Sequence, residues 1–226
     1  MFVKFKKIFV YTIPVFAGYV FLGIAFGLLT SSGGYPVWYP VIMSIIMFTG
    51  ALEFATVPLL ANPFDPSGSF IFGLMLSARH LFYGIPMLKK YKDTGIAKIF
   101  LIFGLSDETF SILSTVDVPE GVEAKWFYLG VTVLNYSYWN IGTLIGAVFG
   151  NVAGNNLEGL DYVTTALFIV LFIEQMKNRT GVKSGLIGLI VSAVVLFTVG
   201  ASNMVIVSMI VMLVILVLGR RVIDNE

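Results

Sequence analysis

Four places in the sequence set ionisable side chains well inside apolar runs: Glu53 in GALEFA, Arg79 and His80 in SARHLFYG, Asp107 and Glu108 in FGLSDETF, and Glu174 in FIEQMK. A charge at the centre of a bilayer costs roughly 2.5–3.5 kcal/mol. Such groups face a protein interior, pair with each other or line a wet cavity. Arg79 stays protonated and needs a carboxylate or an anionic ligand, and Asp107 and Glu108 are the nearest candidates in sequence. Neighbours on a helix point about 100° apart, so Arg79 and His80 cannot serve one partner equally. His80 fits a proton relay or a neutral core hydrogen bond. Glu174 lies near the end of its segment and reads as interfacial. Glu53 follows Gly50 and precedes Pro58, so a broken helix there would set backbone groups beside the carboxylate, as in discontinuous helices that hold substrates.

Other chemistries are poorly supplied. A lone histidine without any cysteine leaves no metal-ligand or thiol motif. Ser77 and His80 lie one helical turn apart but bring neither a nucleophile elbow nor an oxyanion hole, so no hydrolase is expected. No basic patch points to nucleic acid. No cofactor is expected, and the protein reads as a non-enzyme.

The elements that must position these residues are membrane spans. Charged residues make up 12% of the chain, against about 25% in soluble domains, and mean hydropathy is +0.92. About eight hydrophobic segments recur, at 8–30, 36–60, 68–88, 96–115, 126–150, 160–176, 183–200 and 201–219, most long enough to cross a core of about 30 Å. The fold class is therefore all-α, a polytopic helical membrane protein. The basic, apolar N-terminus contains Pro14 and lacks a small-residue cleavage site, so it reads as an uncleaved first span. Trp38, Tyr39 and Trp126 read as interfacial anchors. The YSYWN cluster precedes Gly142, Gly146 and Gly150, a spacing that lets helices approach closely; Tyr138, Trp139 and Asn140 are candidate cavity residues.

Sliding the chain by 115 residues aligns 69–82 with 184–197 at seven of fourteen identical positions, and pairs Gly27 with Gly142. This suggests one transporter domain over 1–226 with repeats at about 8–88 and 126–200, linked by segment 96–115 and followed by 201–219. If the second and sixth segments enter and leave on one side, the repeats are inverted. Arg79 aside, twelve of thirteen Lys/Arg then lie on the cytoplasmic side, with both termini. Lys125 and the acidic loop VDVPEGVEAK fall outside. Pro40, Gly50 and Pro58 make the second segment a candidate for a broken helix.

GYVFLGIAFGLL, GALEFA, SARHLFYG, SDETF, YWNIGTLIGAVFG and LDYVTTALFIVLF, in this order, resemble the AzlC family of branched-chain amino acid permeases. The resemblance implies an exporter of leucine, valine, isoleucine or methionine in the cytoplasmic membrane, driven by protons and working with a small hydrophobic AzlD-type subunit. It carries motif positions onto Arg79, His80, Tyr83, Asp107 and Glu108. Glu53 and Ser77 depart from the glutamine and asparagine usual at those positions. A zwitterion needs both charge signs: Arg79 could meet its carboxylate, and Glu53 or Asp107 its ammonium, while Glu53, His80 or Glu108 exchanges a proton. The alternatives are a channel for a small polar solute and a structural membrane subunit whose buried charges only pair.

Overall fold

A computed structural model describes residues 2–60, 63, 65–153 and 179–200, with scattered positions between 165–176 and 204–215. The chain divides into two units, Met1–Asp161 and Tyr162–Glu226. The first is built on two long helices, α1 (Phe2–Ser32) and α8 (Ala124–Ala153). At 1.5 Å per residue each runs about 45 Å, more than a bilayer core, and Lys7–Ser32 is apolar enough to cross one. The two helices are parallel. Ile8 meets Gly130, Gly23 meets Gly142, and Leu28 meets Gly150, so the contacts climb together in sequence. Lys7 Nζ donates to Glu120 O at 3.2 Å, tying the start of α1 to the loop before α8. A Cβ on Gly23 would lie 2.6 Å from Trp139 O, and one on Gly142 2.6 Å from Val20 O. The two backbones therefore touch, which only glycine allows here, and the expected role of Gly142, Gly146 and Gly150 in close packing is met by Gly23 and Gly27 on the facing helix.

The second segment does break, though not at its prolines. Helices α2 (Trp38–Met47) and α3 (Gly50–Leu60) are separated by Phe48, in the left-handed region at φ 41°, and Thr49. A left-handed residue with a side chain costs about 1–2 kcal/mol; the Phe48 ring is buried 4.8 Å from Tyr136 and 6.4 Å from Tyr19, which offsets it. Pro40 sits in the first turn of α2, where its missing N–H costs nothing, and Pro58 lies within α3. Helix α2 descends along α8: Ser44 Oγ donates to Asn140 Oδ1 at 2.8 Å and Tyr136 OH to Ile45 O at 2.9 Å. Helix α3 climbs back, with Phe54 5.5 Å from Phe26, a full two turns above Tyr19 on α1. The segment is thus a hairpin that enters from the face opposite the N-terminus and returns to it.

The third segment crosses with a kink. In α4 (Pro66–Leu76), Asp65 caps the start by accepting from Gly68 N–H at 3.0 Å, with Pro66 at the first position. Short three-residue bonds carry the chain through Ser77 and Ala78 into α5 (Arg79–Lys90). Helix α5 ends on the N-terminal face, where Tyr91 lies 5.7 Å from Tyr128 at the start of α8.

The fourth segment, expected to cross as one span, does not. It splits into α6 (Ala97–Phe103) and α7 (Asp107–Thr115) around Gly104–Ser106. Helix α6 rises to place Phe100 5.9 Å and Phe103 6.1 Å from Tyr136. Helix α7 runs back, with Lys90 Nζ donating to Leu113 O, into the loop that Lys7 holds. It is a second hairpin, entered from the N-terminal face. This corrects the expected topology: the loop 117–123 and Lys125 lie on the N-terminal face, not across from it, and α1 and α8, which open the two aligned stretches of chain, run parallel rather than inverted. The eight lysines before residue 153 then all sit on one face.

In the second unit, α9 (Arg179–Val199) runs unbroken through Ser192–Ala193, the positions aligned with the Ser77–Ala78 kink. Most of segments 160–176 and 201–219, and Glu174, lie outside the described residues.

Candidate functional site

The two hairpins converge at mid-depth on Tyr19 of α1 and Tyr136 of α8. Each second arm, α3 and α7, starts there with backbone N–H groups that have no partner within the helix and with the positive end of its dipole. Each carries a carboxylate in its first turn.

On α3 that carboxylate is Glu53, fully buried. Its Oε1 accepts from Thr49 N–H at 3.0 Å, reaching back over the turn as a capping glutamate does. Its Oε2 accepts from Trp139 Nε1–H at 2.9 Å. Both donors are neutral. Gly50 is required by the indole: a Cβ there would stand 2.6 Å from Trp139 Cη2. Trp139 also meets Tyr19 edge-on at 5.6 Å and Phe54 at 6.5 Å. Asn140 turns the other way, accepting from Ser44 and donating to Tyr136 O at 2.8 Å, and so fixes α2 to α8.

On α7 the first two residues are Asp107 and Glu108, which complement the dipole, and Ser106 is the N-cap, its Oγ accepting from Thr109 N–H at 3.2 Å. The Tyr19 hydroxyl lies 2.5 Å from Glu108 Oε2 and 2.7 Å from Ser106 Oγ, within donating reach of both. Thr109 Oγ1 accepts from Asn135 Nδ2 at 3.0 Å, which holds the turn to α8. Gly104 sits against the Thr132 methyl, where a Cβ would collide.

The SARHLFYG motif lies at the α4–α5 kink. His80 Nδ1 is 3.1 Å from Ser77 O, its ring is 5.0 Å from Tyr83, and Tyr83 stacks on Phe110 of α7 at 5.3 Å. The motif therefore reaches the second hairpin through Tyr83, two residues beyond Glu108. Arg79 is the first residue of α5, where a positive charge opposes the dipole. Its side chain, and with it the expected pair with Asp107 or Glu108, lies outside the described residues. Among the described residues no three acidic or histidine groups are placed to hold a metal.

Of the sequence candidates, the structure brings Glu53 to Trp139 and links Glu108 to both through a residue the sequence reading missed, Tyr19. Thr49, Ser106, Thr109 and Asn135 were missed too. A trace of Tyr19 is present in the spacing: Thr12, Tyr19, Gly23, Gly27 and Thr30 recur at helical intervals as one small or polar stripe on an otherwise apolar helix.

The family model of the AzlC protein matches residues 14–153, which spans both hairpins, α8 and the greater part of α1. The chain is 45% identical to the branched-chain amino acid transport protein AzlC of Bacillus subtilis, over 98% of this chain and 87% of that one. It is 33% identical to an uncharacterized membrane protein of Helicobacter pylori, over 96% of this chain and 95% of the relative. Identity to the inner membrane protein YgaZ of Escherichia coli is 27%, over 83% and 80%. No solved structure matches. With its motifs at the hairpin turns and the match running through nearly its whole length, this helical membrane protein belongs to the AzlC family.

Proposed function

We propose that the protein is a secondary transporter that exports branched-chain or similarly apolar amino acids, coupled to protons, by alternating access. The observation that carries this reading is Glu53: a fully buried carboxylate at the turn of a re-entrant hairpin, held by two neutral donors. Charge at that depth is costly to keep, and a substrate ammonium compensates it. The substrate carboxylate goes to Arg79 at the start of α5, and Glu108 beside Tyr19 carries the proton. The apolar side chain is received by the rings and aliphatic residues that line the hairpins. Leucine, valine, isoleucine and methionine are the expected class, in keeping with the printed name of the B. subtilis relative; outward direction follows from the family resemblance.

The N-terminal face is the cytoplasmic one, since it gathers the eight lysines of the first unit. The membrane is then the cell membrane, with the N-terminus inside. The Arg220-Arg221 end, read by the same rule, is inside as well. A small hydrophobic AzlD-type subunit is the expected partner, and the 115-residue repeat remains part of this reading.

Counter-flow of labelled leucine, valine, isoleucine and methionine in proteoliposomes tests it, with and without the small subunit and a pH gradient. Exchange that a proton gradient drives uphill is expected. No flux of any of the four under any gradient would overturn the proposal.

A further inference from the structure

Tyr19 touches both hairpin turns, with different atoms. Its hydroxyl reaches the second hairpin, at Glu108 Oε2 and Ser106 Oγ. Its ring braces the first, 6.4 Å from Phe48 at the left-handed turn and 5.6 Å from Trp139, the residue that holds Glu53. The residue is itself buried, on a helix whose backbone is in contact with α8 at Gly23 and Gly27. Helices α1 and α8 cannot slide apart or rotate without breaking that contact, so they form the fixed part of the unit. Each hairpin, by contrast, is two arms of 7–11 residues joined at a turn. The two hairpins enter from opposite faces. A change that frees one turn therefore opens a path toward one face alone.

We infer that Tyr19 is a positioning residue with two separable functions: its hydroxyl fastens the second hairpin closed against the N-terminal face, and its ring keeps the first hairpin closed against the opposite face. Loss of the hydroxyl frees the second hairpin and leaves the first in place. Loss of the ring frees both. Trp139 has the complementary, one-sided role, since its N–H reaches Glu53 of the first hairpin. The inference rests on the transport reading for its consequence, a bias in which face the site opens to. Its test needs no substrate, so the two can fail separately.

The chain has no cysteine, so single reporters can be placed at the turns: Leu105→Cys in the second hairpin and Thr49→Cys in the first. The substitution at Thr49 keeps the backbone N–H that Glu53 uses. Each is labelled with a membrane-impermeant maleimide from either side of oriented membrane vesicles. Tyr19→Phe is expected to raise Leu105→Cys labelling from the N-terminal face about ten-fold, the size of one hydrogen bond, with Thr49→Cys unchanged. Tyr19→Ala is expected to raise both. Trp139→Phe is expected to raise Thr49→Cys alone, from the opposite face. Glu108→Gln is the conservative control: its amide oxygen still accepts from Tyr19, so its Leu105→Cys labelling stays well below that of Tyr19→Phe. The inference is overturned if Tyr19→Phe raises neither reporter, if it raises both alike, or if Glu108→Gln matches Tyr19→Phe.

Discussion

Replacing Gly142 by alanine puts a methyl group where there is no room for one. The new Cβ would stand 2.6 Å from Val20 O, 3.0 Å from Val20 Cα and 3.2 Å from Gly23 Cα. A carbon meets a carbonyl oxygen comfortably at about 3.3 Å or more, so α1 and α8 must part by roughly 0.7 Å at that level. The obstacle is main chain, which cannot swing aside as a side chain would. Forcing a methyl group into such a site costs about 1–3 kcal/mol. In a chain of this size each kcal/mol moves the unfolding midpoint by about 2–4 °C, so a fall of about 5 °C is expected. Gly18→Ala is the control: it lies on α1, the facing helix, with nothing within 4 Å of its Cβ, and alanine there gains about 0.5–1 kcal/mol of helix preference. Its midpoint should stay level or rise by a degree or two. Gly23→Ala attacks the same contact from α1, so the Gly23/Gly142 double variant should fall by less than the sum of the two. Thermal unfolding of purified protein in one detergent reads all four. If Gly142→Ala unfolds with the wild type, or Gly18→Ala falls equally far, the backbone contact is not what holds the two helices together.

Glu53→Gln should keep one acceptor oxygen and so fold, while its counter-flow of leucine drops at least ten-fold; activity near wild type would remove Glu53 from amine recognition. Ser106→Ala removes the cap of α7 and should cost about 0.5–2 kcal/mol, read as a drop of a few degrees in the unfolding midpoint. Single cysteines at Pro63 and Glu120 should be labelled from opposite sides of the membrane, with Glu120→Cys on the side of the N-terminus. Labelling of both from one side would remove the second hairpin from the topology.

The candidate site residues were legible because charge is scarce in this chain. A carboxylate or arginine inside an apolar run stands out without any knowledge of the fold, and Glu53, Arg79 and the Asp107-Glu108 pair all turned out to lie in the first turn of a half-helix. The half-helices themselves were less legible. A span and a hairpin buried in protein can have the same composition, and segment 96–115 is long enough to read as one crossing helix. Its turn is set by tertiary contacts: Gly104 against Thr132, and Ser106 within reach of Tyr19. The Ser106-Asp-Glu-Thr109 cap did mark a helix start in mid-segment. Phe48 gave no local warning, because a left-handed phenylalanine is stable only where rings such as Tyr19 and Tyr136 receive it. The aligned stretches 69–82 and 184–197 show the limit of similarity in apolar sequence, since one is kinked at Ser77–Ala78 and the other runs straight.

The glycine contact between α1 and α8 also has a bearing on how the protein is made. Gly23 and Gly142 touch although they lie 119 positions apart in the chain, and synthesis at about 5–20 residues per second separates their appearance by roughly 6–24 seconds. Throughout that interval α1 has crossed, or is crossing, the bilayer without its mate. The face that Gly23, Gly27, Thr12 and the Tyr19 hydroxyl will bury is then turned to lipid or to the insertion machinery. The hairpins emerge during the same interval, before the α8 surface on which Asn135, Trp139 and Asn140 hold them exists. Assembly of this unit must therefore wait for its last helix, and a nascent chain stopped before Asn135 lacks the α8 side chains that hold either hairpin.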